Sequence, residues 1–280
     1  MTAAIRTVTL PAGEVVPCLG QGTWRMGEDS SRRDAEIAAL QRGVELGLTL
    51  IDTAEMYGDG GAEQMLGEAL RGLRDKVFLV SKVYPQNAGG AALRRACENS
   101  LRRLATDRID LYLLHWRGGV PLKTTVERMQ SLQREGKIGA WGVSNFDTDD
   151  MEELFAAGGA ACATNQILYN LMRRGPEFDL LPGMAKRKIP ATAYSPIEQG
   201  RLPKSGVLAD VARRYEATPF QIALAWAVRR PDVIAIPKAA TIDHVTANRR
   251  ALDIKLDKQA LAALDQDFAP PRRKTPLAMI

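Results

Sequence analysis

The chain has 280 residues, 45% of them hydrophobic, enough to bury one barrel-sized core. Its net charge of +5 comes from 38 basic and 33 acidic residues, and the basic ones lie in scattered pairs such as Arg32-Arg33, Arg94-Arg95, Arg102-Arg103 and Arg173-Arg174. With no basic stripe interleaved with aromatics, the composition argues against nucleic acid as a partner and leaves room for a small anionic ligand.

The first segment, MTAAIRTVTLPAGEVVP, has neither the basic start and apolar core of a signal peptide nor the roughly 20 apolar residues that cross a bilayer. A cytoplasmic protein without a membrane partner is expected. Residues from about 5 to 17 are predicted to form a hairpin. Apolar runs rich in β-branched and aromatic residues then end near Gly22, Asp52, Ser81, Leu114, Val143, Gln166, Tyr194 and Ile236, at intervals of 30, 29, 33, 29, 23, 28 and 42 residues. Their near-continuous apolar character suits parallel strands buried on both faces. Between them, DAEIAALQRGVELG, EQMLGEALRGL, AALRRACENSLRRL and TTVERMQSLQREG carry helical periodicity, with Gly47 and Gly136 placed as C-caps. The chain closes on a proline-bearing tail from about residue 269 to 280. Cys18, Cys97 and Cys162 are too few and too irregular for a disulfide framework or a zinc site, so no metal is expected.

Strand and helix alternating at about 30 residues, eight times, predicts an α/β fold of the (β/α)8 barrel type, a single domain over 1–280 with the N-terminal hairpin closing the barrel floor. A doubly wound sheet is the other architecture this rhythm could serve. Against it, Gly20-Gln21-Gly22-Thr23-Trp24-Arg25 lacks the third glycine of a dinucleotide fingerprint, and Trp24 obstructs a tight pyrophosphate turn. No low-complexity linker divides the chain.

In such a barrel the chemistry sits at the C-terminal strand ends. Asp52, Tyr57, Lys82, His115, Ser144, Asn145 and Gln166 all fall there. Each alone has an ordinary reading: Asp52 as a helix cap, Tyr57 as a rim aromatic, Lys82 as a snorkelling amine, His115 as a structural imidazole beside Trp116. Together they make a proton donor. A phenol with an ordinary pKa of about 10 donates poorly at neutral pH unless a cation lies close. Lys82 supplies that cation, Asp52 keeps it charged, and His115 can share a carbonyl oxygen with Tyr57.

The segment Gly47-Leu-Thr-Leu-Ile-Asp-Thr-Ala-Glu-Met-Tyr57-Gly58 resembles the signature of the aldo-keto reductases. Val80-Ser81-Lys82, Leu113-Leu114-His115-Trp116, Gly142-Val143-Ser144-Asn145-Phe146, Asn165-Gln166, Ala193-Tyr194-Ser195-Pro196 and Ile236-Pro237-Lys238 match its later blocks in order. The likeness runs from about residue 15 to 277 and is nearest to small bacterial members that reduce methylglyoxal and other short aldehydes. It implies a catalytic tetrad of Asp52, Tyr57, Lys82 and His115, and a nicotinamide cofactor lying across the barrel mouth. Tyr194 would stack on the nicotinamide, and Ser144, Asn145 and Gln166 would bind its carboxamide. Gly22, Thr23 and Trp24 would lie alongside, and Ser195, Pro196, Ile197, Gln199, Gly200 and Arg201 would close over the pyrophosphate. Ile236, Lys238, Ala239, Thr241, His244 and Asn248 would take the adenosine half.

Thr241 is placed as the N-cap of a helix whose free amides suit a phosphate, with Lys238 adding a point charge. Family members that bind NADPH tightly generally carry arginine where this chain has His244 and glutamate where it has Ala247. NADPH is therefore expected as cofactor, with weaker discrimination against NADH. Trp24, Met56, Tyr84, His115, Trp116 and Phe146 are expected to line an apolar substrate pocket. The short loop Trp116–Pro121 and the brief tail point to small aldehydes and dicarbonyls. The chain is read as a monomeric enzyme with a small carbonyl substrate. Barrels of this family also serve as cofactor-binding regulatory subunits of membrane channels, and that remains the alternative, although the complete tetrad favours catalysis. An aldolase or isomerase using Lys82 as a Schiff-base amine would need a phosphate or carboxylate clamp, and none is evident.

Overall fold

The computed structural model describes residues 4–203 and 206–280. A hairpin, β1 (Thr7–Thr9) antiparallel to β2 (Val15–Pro17), precedes eight parallel strands: β3 (Gln21–Gly22), β4 (Leu50–Asp52), β5 (Phe78–Val83), β6 (Ile109–Leu114), β7 (Ile138–Ser144), β8 (Asn165–Leu168), β9 (Ala191–Tyr194) and β10 (Val233–Ala235). The eight pair strictly in chain order. The sheet closes on itself: Leu19 bridges Ala235 and Gly22 bridges Lys238, with Gly20 N–H donating to Ala235 O at 2.8 Å and Gly22 N–H to Pro237 O at 3.0 Å. The result is the (β/α)8 barrel that the spacing predicts.

The helices are α1 (Arg33–Glu45), α2 (Gly61–Ala69), α3 (Gly90–Arg103), α4 (Leu122–Arg134), α5 (Thr148–Ala156), α6 (Leu180–Lys186), α7 (Val207–Arg214), α8 (Pro219–Ala227), α9 (Ile242–Arg250) and α10 (Lys258–Asp267). Their inward stripes follow the helical period, as in α3, which buries Leu93, Ala96, Cys97, Ser100 and Leu101 and leaves its arginines outward. Gly47 and Gly136 adopt left-handed backbone at φ +85° and +72° just beyond α1 and α4, a conformation that costs glycine little. The long interval before β10 holds two helices. Of these, α8 is apolar nearly all round and correspondingly buried, and its start is fixed by Pro219 and a reciprocal Thr218–Gln221 capping box.

A single large core cluster runs through barrel and helix layer, with Trp141, Trp226, Tyr112 and Tyr169 among its fully buried side chains. The hairpin closes the N-terminal end: Arg6 donates to Val228 O at 2.6 Å, Arg230 O at 3.0 Å and Pro231 O at 3.1 Å, on the turn that enters β10. Beyond α10 the tail returns to the opposite end, tied by Lys274 to Asp149 at 2.9 Å and by Leu277 N–H to Asp147 at 3.2 Å. Among the described residues no helix is long and apolar enough to cross a membrane. All three cysteines are free and buried.

Candidate active site

Asp52 ends β4 and Lys82 lies in β5, two residues beyond Val80, the partner of Asp52 in the ladder. Both point into the barrel. The Lys82 ammonium donates to Asp52 Oδ2 at 2.6 Å, Thr53 O at 2.8 Å and Tyr57 Oη at 3.0 Å. It is fully buried. An ammonium has three donors and no acceptor, so Tyr57 Oη must accept from Lys82, which leaves its own O–H free to point elsewhere. The same count removes the Schiff-base reading, since every N–H of this amine is engaged and its charge is held. Gln166 Nε2 donates to the second Asp52 oxygen at 2.7 Å. Thr23 backs the same residue, its hydroxyl donating to Asp52 O at 3.0 Å.

Tyr57 is carried by a tight turn after β4 in which Gly58, Asp59 and Gly60 are left-handed. At Gly60, φ +91°, a Cβ would meet Arg103 Cδ at 2.5 Å, so only glycine fits. Arg103 in turn pairs with buried Glu63 at 2.6 Å, and Glu63 accepts from Ser81 at 2.6 Å, on the outward face beside Lys82. The phenol ring stands edge-on to Trp24 at 4.9 Å and to His115 at 6.0 Å between centroids. His115 follows β6, is 6% exposed, and its Nδ1 has no hydrogen-bond partner among the described residues.

Burial sets the charge states. It opposes the Lys82 charge, yet Asp52 and Tyr57 outweigh it and hold the ammonium above its usual range. Burial lifts the Asp52 carboxyl, with Lys82 and Gln166 drawing it back. Tyr57 departs from the simplest sequence expectation: Lys82 pulls the phenol down, but burial is the larger effect and the net shift is upward, so the proton stays on. His115 is pushed down to about 2 by burial and then by Lys82, and is a neutral imidazole at any ordinary pH.

Asp52, Tyr57 and His115 line a cavity of about 700 Å³ at the C-terminal mouth of the barrel, with Lys82 buried behind them. Ser144, Asn145, Gln166 and Tyr194 form its β7–β9 side, Gly22 and Trp24 the β3 side, and Ser195, Pro196, Ile197, Gln199 and Gly200 one rim. Ile236, Lys238, Thr241 and His244 complete it, with Thr241 capping α9 through His244 N–H at 3.3 Å. The polar wall is internally bonded: Asn145 Nδ2 donates to His115 O at 3.1 Å, and Tyr194 Oη donates to Asn145 Oδ1 at 2.9 Å. Burial takes the Tyr194 phenol up to about 12, with the Ile280 backbone opposing and Tyr57 adding.

Several residues named from sequence stand back from the wall. Phe146, just beyond β7, is fully buried, with Asn165 donating to its backbone carbonyl at 2.8 Å, so it belongs to the core and does not line the cavity. Tyr84 is half-buried and packs edge-on against Trp116 at 5.9 Å, outside the lining, because its backbone is held by Glu55 at 2.7 Å. Thr23, Arg201, Ala239 and Asn248 also lie outside it. Met56, His115 and Trp116 do line it, and so do Arg25, Arg32, Met279 and Ile280, which the sequence reading missed. The last two arrive with the returning tail, over a separation no local pattern reveals. The two arginines belong to a loop and helix start that only barrel closure brings beside β10.

A closed βα barrel with a lysine-backed phenol at the mouth defines an oxidoreductase class: residues 18–267 match the aldo/keto reductase family, and the chain belongs to it. It is 54% identical to the methylglyoxal reductase YeaE of Escherichia coli K12 over 276 residues, covering 96% of this chain and 97% of that protein. It is 33% identical to the methylglyoxal reductase DkgB of E. coli O157:H7, over 89% and 93% of the two chains. An aldo-keto reductase from Klebsiella pneumoniae solved with NADPH superimposes with a TM-score of 0.97 at 54% identity, over 99% of this chain and all of that one. A second Klebsiella structure, with NADP and acetate, gives 0.96 at 53% identity over the same shares.

Proposed function

We propose that this chain reduces short aldehydes and dicarbonyls of the methylglyoxal type with NADPH, using Tyr57 as the proton donor. The observation that carries it is the 3.0 Å hydrogen bond from a fully buried ammonium to a phenol on the cavity wall. The wall suits the cofactor by its donor chemistry. Gln166 spends Nε2 on Asp52 and keeps Oε1 for a carboxamide, Ser144 and Asn145 sit beside it, and Tyr194 offers an aromatic ring. Lys238 and the other amides in the first turn of α9, beside the one that Thr241 caps, suit a phosphate.

When bound, a dihydronicotinamide would supply the hydride that the carbonyl carbon needs. Tyr57 Oη gives its proton to the carbonyl oxygen, and the Lys82 ammonium at 3.0 Å stabilises the phenolate left behind. Asp52 and Gln166 fix the ammonium so that no reorganisation is needed as charge develops. Neutral His115 orients the same oxygen through an N–H and does not compete as an acid. Trp24, Met56, Trp116, Met279 and Ile280 leave an apolar space suited to small substrates.

Initial rates of NADPH oxidation against methylglyoxal, benzaldehyde and a steroid ketone test this reading. The small carbonyls should exceed the steroid at least tenfold in kcat/KM. Tyr57→Phe should nearly abolish turnover while NADPH still quenches tryptophan fluorescence. Unchanged turnover in that variant, or a preference for the steroid, overturns the assignment.

A further inference from the structure

The seam of the barrel carries basic side chains that the tetrad does not use. Lys238 leaves β10 opposite Gly22, and its half-buried ammonium has no ion pair or hydrogen bond among the described residues. Arg32, the residue before α1, lines the same cavity, as do Arg25 and the α9 residues Thr241 and His244. Helix α1 packs along α9, so two helix starts meet at this wall. The nearest acid satisfies none of these cations well. Glu36 Oε1 reaches Arg32 only at 4.0 Å, and its other oxygen accepts from Gly27 N–H at 2.8 Å.

Like charges gathered on a cavity wall repel. Burial pushes the Lys238 ammonium below its usual range, and Arg32 pushes it further, with Glu36 opposing, Arg25 adding and Glu28 opposing. Such a wall is complemented by a dianion. A terminal phosphate accepts a guanidinium through two parallel bonds, takes a point charge from an ammonium, and accepts free amides at a helix start.

We propose that Arg32 is the guanidinium that clamps the 2′-phosphate of the dinucleotide, working with Lys238 and the first turn of α9, and that it sets the preference for NADPH over NADH. This rests on the cofactor reading above and adds to it the residue that discriminates. The pyrophosphate is the other phosphate source in the same ligand, and it is common to both cofactors. The two are therefore separable.

The experiment measures dissociation constants for NADPH, NADH, adenosine 2′,5′-bisphosphate and 5′-AMP by fluorescence and calorimetry, with wild type, Arg32→Ala, Arg32→Lys and Arg33→Ala. Arg33 is the control, since it pairs with Glu68 at 2.9 Å and does not line the cavity. Arg32→Ala should lower the NADPH-over-NADH affinity ratio about tenfold, as expected for loss of a charge-assisted pair. Adenosine 2′,5′-bisphosphate should weaken in parallel and 5′-AMP should not. Arg32→Lys should fall between, and Arg33→Ala should match wild type. An unchanged ratio in Arg32→Ala overturns the proposal, and so does equal loss for both cofactors, which would put Arg32 on the pyrophosphate. Wild type that binds neither dinucleotide would overturn the cofactor reading itself, whereas wild type that prefers NADPH and keeps that preference without Arg32 overturns this inference alone.

Discussion

His115 and Lys82 lie in one barrel mouth and are driven opposite ways by the same burial. The lysine has a carboxylate at 2.6 Å and stays charged, while the imidazole has no acid beside it and faces that same ammonium. The consequence extends beyond catalysis. The folded value of about 2 for His115 lies below the 6.5 of an unfolded chain, so on acidification the unfolded state takes up a proton that the folded state refuses. This stability is complete above pH 6.5 and is lost as pH falls toward about 2. By pH 5 the loss reaches about 2 kcal/mol, at about 1.4 kcal/mol per unit. Removing the imidazole removes the linkage. The drop in urea-unfolding free energy between pH 7.5 and 5.0 should therefore be about 2 kcal/mol smaller in His115→Gln than in wild type. Equal drops in the two proteins would mean that His115 is not held neutral in the folded state.

The loop after β9 forms one wall of the cavity in a backbone that its sequence does not favour. Ser195, Glu198 and Gln199 are left-handed at φ 46°, 48° and 54°, none of them glycine, at a cost on the order of 1 kcal/mol each. What holds them is Glu198. Its carboxylate is 2% exposed and accepts from Asn170 at 2.8 Å and Arg173 at 2.7 Å, while Asn170 also donates to Ser195 O at 2.9 Å. Although burial opposes its charge, Arg173 and Asn170 keep this carboxyl below its usual range. A strained loop fastened at one carboxylate opens more readily when the fastening weakens. Glu198→Gln should release NADPH several-fold faster in stopped-flow fluorescence, raising KM without lowering kcat, and an unaltered release rate would show that the loop is held by other means. At this scale the sequence was partly readable. The 30-residue rhythm located eight strand ends because parallel strands buried on both faces are continuously apolar. It did not show α7 and α8 within the 42-residue interval, nor how little of CLGQG is strand. Gln21–Gly22 alone pairs with β4, since the run's other half is spent on bridging to β10.

The barrel divides labour between its ends, and the limits of legibility track the same division. Asp52, Lys82 and His115 were readable because each comes at or just beyond the end of its own strand, with Tyr57 on the turn after the first of these, so position along the chain reports height in the barrel. Relations around the circumference were not. Gln166 bonds to Asp52 across 114 residues, Arg32 and Lys238 line one cavity only because β3 meets β10, and Phe146 is buried where its motif neighbours line the cavity. Closure itself is guarded at the other end. Arg6 bridges from the residue before β1 to three carbonyls on the turn entering β10, fastening the hairpin under the seam where first and last strands join. None of the proposed catalytic side chains lies there, and in barrels that end serves stability. Arg6→Ala removes charged donors from three backbone acceptors, one of them partly buried, at a cost of about 1–2 kcal/mol. For a chain of this size that corresponds to a Tm lower by about 2–4 °C. The rate of carbonyl reduction at 25 °C should match wild type, because the tetrad hangs from strand ends on the far side of a closed and packed core. A fall in kcat at unchanged Tm would instead mean that the seam transmits strain from floor to mouth, and that the two ends are not independent.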